Sequence, residues 1–135
     1  MKGIADTGFL VAFIRSADQH HEWATKLAKQ FTEPLLTCEA VLAETAFHLA
    51  SATMALSMLQ RKLVTVALNM DLELDRLAML ADRYADREPD LADLCLIRLS
   101  ELHPRHSVIT VDVNDFRVYR RNGREVIPLI HPPGL

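Results

Sequence analysis

Two short apolar runs, near opposite ends of the chain, each stop on an aspartate. Residues 2–5 lead into Asp6, and Val108-Ile109-Thr110-Val111 leads into Asp112. Runs of this length, apolar and partly β-branched, read as buried strands. A carboxylate just beyond a strand's last residue stands on the rim of a sheet. In open α/β sheets the rim at the C-terminal edge is where ligands bind.

The chain between these runs alternates. Further strands are expected at 34–37, 64–68 and 126–130. Helices are expected at 9–14, from about 18 to 31, at 39–49, 51–60 and 71–85, and from about 90 to 103. Their apolar residues recur at helical spacing, as in Trp23, Ala24, Leu27, Ala28 and Phe31. Strands alternating with helices imply parallel pairing, right-handed crossovers and helices on both faces. The expected architecture is an α/β fold, a three-layer α/β/α sandwich around a central, mostly parallel sheet. Residues 1–135 are expected to form one domain, a length sufficient to bury a core.

Two other acidic stretches fall on expected helices. Glu44 lies among apolar neighbours at 41–47, either on the exposed side or turned toward the rim. Asp90 and Asp93, three apart, share a helix face. Asp90 suits the charge preference of a helix N-terminus, and Asp93, followed by Leu94-Cys95, reads as the inner acid. Asp6, Glu44, Asp93 and Asp112 together would make a carboxylate pocket with no evident Lys or Arg in it. Like charges raise one another's pKa, and a divalent cation relieves the repulsion. Hard oxygen ligands suit Mg²⁺ or Mn²⁺. Asp115 is either a further ligand or the cap of a short helix over Phe116. Thr7 can support a carboxylate through its hydroxyl, whereas Thr110 reads as structural.

Arg117, Arg120, Arg121 and Arg124 form the strongest basic cluster. It reads either as a phosphate-holding surface for RNA or as a solvated turn. Net charge is −3, which argues against a passive electrostatic nucleic-acid binder. His20 and His21 read as capping or surface residues. Cys38 and Cys95 read as reduced, buried thiols without zinc-ligand spacing. Asp6 interrupts the first apolar run, so no secretory signal is read. No stretch reaches the ~18 apolar residues of a membrane span. A cytoplasmic protein with no membrane partner is expected. The Ala-, Leu- and Met-rich helices at 39–60 suggest packing against a second subunit, as a homodimer, or against a partner segment.

Taken in order, the motifs resemble the PIN-domain ribonucleases, and more narrowly the toxin of bacterial VapBC toxin–antitoxin pairs. The residues carrying the resemblance are Ile4-Ala5-Asp6-Thr7-Gly8, Asp18 with His21 and Ala24, Ala43-Glu44, Asp90-Leu91-Ala92-Asp93, and Thr110-Val111-Asp112 with Asp115-Phe116. The resemblance implies Asp6, Glu44, Asp93 and Asp112 as catalytic, metal-binding acids, Thr7 as the accompanying hydroxyl and Asp115 as a variable ligand. It implies Mg²⁺- or Mn²⁺-dependent cleavage of an RNA substrate, leaving a 5′-phosphate and a 3′-hydroxyl, and an antitoxin protein as partner. The alternative is a PIN-fold domain that binds RNA or protein without catalysis. A phosphoaspartate phosphatase fits less well, because Gly8 stands where a second aspartate is needed.

Overall fold

The computed structural model describes all 135 residues. In chain order its first half comprises β1 (Gly3–Ala5), α1 (Thr7–Ile14), α2 (His21–Ala28), β2 (Leu35–Thr37), α3 (Glu39–Leu49), α4 (Ala52–Gln60) and β3 (Val64–Val66). Then come α5 (Met70–Arg83), a 3-10 turn at Ala85–Arg87, α6 (Leu91–Leu102), β4 (Ser107–Ile109), α7 (Val113–Val118), β5 (Arg120–Arg121), β6 (Glu125–Val126) and β7 (Leu129–Ile130).

Five strands form one sheet in the order β3-β2-β1-β4-β7. Every pairing in it is parallel, with Ile4 opposite Leu36 on one side and Val108 on the other. The chain winds outward from β1 to β2 and β3, then returns to the other side of β1 for β4 and β7. Right-handed crossovers place helices made before and after that return on opposite faces. The result is the α/β/α sandwich expected. Strands covered on both faces should be apolar without alternation, and Ile4, Ala5, Val108 and Ile109 are fully buried. On α6, Leu94 through Ile97 and Leu99 are all buried. Cys38 and Cys95 are free and buried, as read. No helix is long and apolar enough to cross a membrane.

The turn from β1 into α1 depends on Gly8. A Cβ there would stand 2.3 Å from Val111 Cγ2, so only glycine lets the first turn of α1 lie against the segment leaving β4.

The structure corrects three expected elements. The second helix ends at Ala28, and Gln30 and Phe31 continue only through turn hydrogen bonds to Leu27 and Ala28. The strand expected at 64–68 ends at Val66, with one further bond from Ala67 N to the Thr37 carbonyl at 3.0 Å. The last apolar run is not one strand. Glu125–Val126 pairs antiparallel with Arg120–Arg121, and Leu129–Ile130 joins the main sheet. Pro128 lies between them, with no N–H to continue a ladder, and its carbonyl accepts from Val108 N at 2.9 Å.

The hairpin of β5 and β6 turns through Asn122 and Gly123, both at positive φ, a conformation these residues tolerate. Glu101 anchors it. The Asn122 N–H donates to Glu101 Oε2 at 2.6 Å. Arg76 reaches both oxygens of the same carboxylate, at 2.9 and 2.5 Å, and Arg98 adds a bond of 3.2 Å. Burial alone would raise the Glu101 pKa, but Arg76, the Asn122 N–H and Arg98 outweigh it and hold the carboxyl below its ordinary range.

Candidate active site

The sheet order reverses beside β1: β2 lies on one side and β4 on the other. Crevices at such reversals, beyond the C-terminal ends of the strands, are where open α/β sheets bind ligands. Asp6 follows β1 and Asp112 follows β4, so both stand at that crevice. A cavity of about 480 Å³ opens there, and its lining includes Asp6, Glu44, Asp90, Asp93 and Asp112. No Lys or Arg lines it.

A chain of hydrogen bonds orients these acids. Asp6 is the N-cap of α1, its Oδ1 accepting from Thr7 N at 2.7 Å. Its Oδ2 accepts from the Thr110 hydroxyl, also at 2.7 Å. That hydroxyl in turn accepts from Asp112 N at 2.9 Å. The Thr7 hydroxyl donates to Glu44 Oε1 at 2.9 Å. Asp90 caps α6 by accepting from Asp93 N at 2.8 Å. The Tyr119 hydroxyl donates to Asp93 Oδ2 at 3.1 Å. Tyr119 is fully buried, and its ring packs edge-on against Tyr84 and Phe116.

The electrostatics follow from this crowding. Burial pushes the Asp6 pKa up to about 6, against the lowering by its bonds to Thr110 and Thr7, with the charges of Glu44 and Asp112 adding to the rise. Burial and the charges of Asp90 and Asp6 push Asp93 to about 7. Glu44 is raised by burial and by Asp90. Asp112 is raised by burial, Asp115 and Asp90.

The structure brings Asp6, Thr7, Glu44, Asp93 and Asp112 to one cavity. Glu44 is therefore the inward-facing alternative. Asp90, read as a helix-start charge, both caps α6 and lines the cavity. Three assignments change. Thr110 is more than a strand residue, because its hydroxyl holds Asp6. Asp115 is not among the cavity-lining residues, and its Oδ1 accepts from Arg87 Nη2 at 2.7 Å. His20, read as a cap or surface residue, lines the cavity together with His48. The basic cluster also lies off the cavity. Arg117 donates to the Leu135 carbonyl, Arg120 to the carbonyls of Arg117, Val118 and Tyr119, and Arg121 to Glu125 and to the carbonyl of Pro104. Tyr119 was hidden within that basic stretch; only its burial exposes the link to Asp93.

A family model described as the PIN domain matches residues 4–122. The chain belongs to the PIN-domain family. No curated protein matches it. PIN domains are generally nucleases and typically use divalent metals.

The residues of this PIN domain fit such an ion by their donor chemistry. Five carboxylates supply hard oxygens, no side-chain ammonium or guanidinium competes for them, and one of them, Asp6, is almost wholly buried. No three acids already stand close enough to enclose an ion. Mg²⁺ needs no closed cage, since it keeps several waters and takes only one or two carboxylates.

Proposed function

We propose that this PIN domain is a Mg²⁺- or Mn²⁺-dependent endoribonuclease acting at the cavity between β1 and β4, and the toxin of a toxin–antitoxin pair. One observation carries the nuclease reading: Asp6, Glu44, Asp90, Asp93 and Asp112 converge at the sheet's switch point with no Lys or Arg among them. Asp6, Glu44, Asp93 and Asp112 are the carboxylates from which an ion would draw its protein oxygens, with Asp90 beside them as a further donor. When bound, the ion lowers the pKa of water and neutralises charge developing on the phosphodiester. The chain's own contribution is orientation. Thr110 and the Thr7 N–H fix the Asp6 carboxylate, the Thr7 hydroxyl fixes Glu44, and Tyr119 fixes Asp93. Burial pushes the Asp6 carboxyl up to about 6 and the Asp93 carboxyl up to about 7, so an ion would compete there with protons.

Outer groups of this kind are worth about 10- to 100-fold in metal affinity or activity. Thr110→Val should therefore weaken Mn²⁺ binding, measured by calorimetry, by about that factor.

The partner reading draws on a second cavity. A cleft of about 580 Å³ lies between α1 and α4, lined by Phe13, Ile14, Met54, Met58 and Leu63. Met54 in this lining is exposed, as is Leu56 elsewhere on α4. An apolar antitoxin segment, or a second copy of the chain in a homodimer, would cover this surface.

The direct test is incubation of the purified protein with an RNA panel in Mg²⁺ or Mn²⁺, with EDTA as control. Cleavage that requires the ion and leaves 5′-phosphate ends supports the reading. RNA binding without turnover on any substrate favours the non-catalytic alternative.

A further inference from the structure

The acid cavity poses a problem for an anionic substrate. Its lining carries six acids, counting Asp18, and no Lys or Arg. The only basic side chains on its wall are His20 and His48. His48 lies at the C-terminal end of α3, one turn beyond Glu44.

The next residue back, Phe47, is 80% exposed, the most exposed large apolar side chain in the molecule and the only aromatic among those on the surface. Its ring lies 5.6 Å from the His48 ring at an interplanar angle of 73°. Ala43 and Ala50 on either side of it are exposed and small, so neither covers the ring. The charge beside it is positive. Arg15, exposed at the end of α1, donates a guanidinium N–H to the His48 carbonyl, and its side chain makes no other hydrogen bond within the chain.

Successive bases of single-stranded nucleic acid stack on aromatic rings, and positively charged groups follow the backbone. An exposed ring, an imidazole and a guanidinium at one lip of a carboxylate pocket match that pattern in order. We infer that the Phe47–His48 end of α3 is the landing for single-stranded RNA. Phe47 stacks on a base adjoining the scissile phosphate, and His48 and Arg15 donate to the backbone as it crosses into the pocket. The inference rests on the ribonuclease reading and names where that substrate is gripped. It also accounts for how an acidic cavity admits a polyanion: the strand is held from the lip by neutral stacking and N–H donors, and only one phosphate meets the acids.

The test separates binding from turnover. Affinity for a fluorescein-labelled single-stranded RNA of about ten nucleotides is measured by anisotropy, with Mg²⁺, in the Asp93→Asn background. Phe47→Ala is expected to weaken binding by about 5- to 150-fold, the range found for loss of one stacking platform. Phe47→Trp should restore it, since any flat ring serves, and His48→Ala should weaken it. Phe47 is exposed, so its variants fold. Unchanged RNA affinity in Phe47→Ala overturns the inference. So does a change confined to oligomeric state in light scattering, which would assign the ring to a protein interface. If RNA binds through Phe47 but the parent protein never cleaves, the inference stands and the ribonuclease reading falls. If the parent cleaves and Phe47→Ala does so with the same kcat and KM, the reverse holds.

Discussion

Asp93→Asn is expected to lower the proposed ion-dependent RNA cleavage by more than about 100-fold, because losing an inner carboxylate costs at least what losing its supporting groups costs. The same substitution should raise the melting temperature of the metal-free protein. The two effects share one cause. Asp93 titrates at about 7 in the fold, from burial and the charges of Asp90 and Asp6, against an ordinary value of 3.8. An acid whose pKa is raised by folding favours the folded state in its protonated form. Its stabilising contribution is complete below pH 3.8 and is lost as pH rises toward 7. At neutral pH the charged carboxylate therefore works against the fold. Asp93 is partly open to water, so the full shift overstates the effect; discounted for screening, about 1–2 kcal/mol is expected. That corresponds to a rise of roughly 3–6 °C at pH 7.5. The gain should vanish at pH 3.5, where both proteins are neutral at this position. Scanning calorimetry at the two pH values, beside a cleavage assay, reads both effects. A variant that is inactive and also less stable at pH 7.5 would mean that Asp93 supports the fold rather than an ion.

Glu101→Gln is the opposite case, a loss of stability without loss of the site's acids. The Glu101 side chain is fully buried and carries charge-assisted bonds from Arg76 and Arg98. Arg98 is shared with Glu73 at 2.6 Å. Removing one partner of a buried ion pair typically costs about 3–5 kcal/mol, because the remaining charges are left uncompensated. The amide also turns an N–H₂ toward groups that only donate. A fall in melting temperature of roughly 10 °C is expected. The Asn122 contact means the β5–β6 hairpin should loosen first, giving faster amide exchange at Asn122 than at Ile109. A loss below about 1 kcal/mol would show that Arg76 and Arg98 find water instead.

The fold was legible where pattern and burial coincide. The runs ending on Asp6 and Asp112 are apolar without alternation because both sheet faces are covered, and that pattern needs no tertiary information. Asp6 and Asp112 could be placed on one rim for the same reason, since strand ends are local properties, whereas periodicity alone left the side of Glu44 open. What stayed hidden depends on long-range partners. Asp115 was open between a ligand and a helix cap because nothing near it in sequence shows that Arg87 donates to its carboxylate. Tyr119 sits in a basic stretch whose arginines drew attention, yet its hydroxyl reaches Asp93, 26 residues away. Those arginines looked free and are largely taken up by the chain's own carbonyls and by Glu125. Asp90 was read as a capping charge and does cap α6, but the position of that helix end also brings it to the cavity. The split of the last strand was signalled by Pro128, whose missing N–H outweighs the apolar run around it.

The central claim is that these carboxylates form a divalent-ion site, and calorimetric titration of Mn²⁺ into the metal-free protein tests it most directly. Saturable binding accompanied by proton release near pH 7, and abolished by Asp6→Asn, is the expected result. No binding at millimolar Mn²⁺, or equal binding by Asp6→Asn, would contradict it.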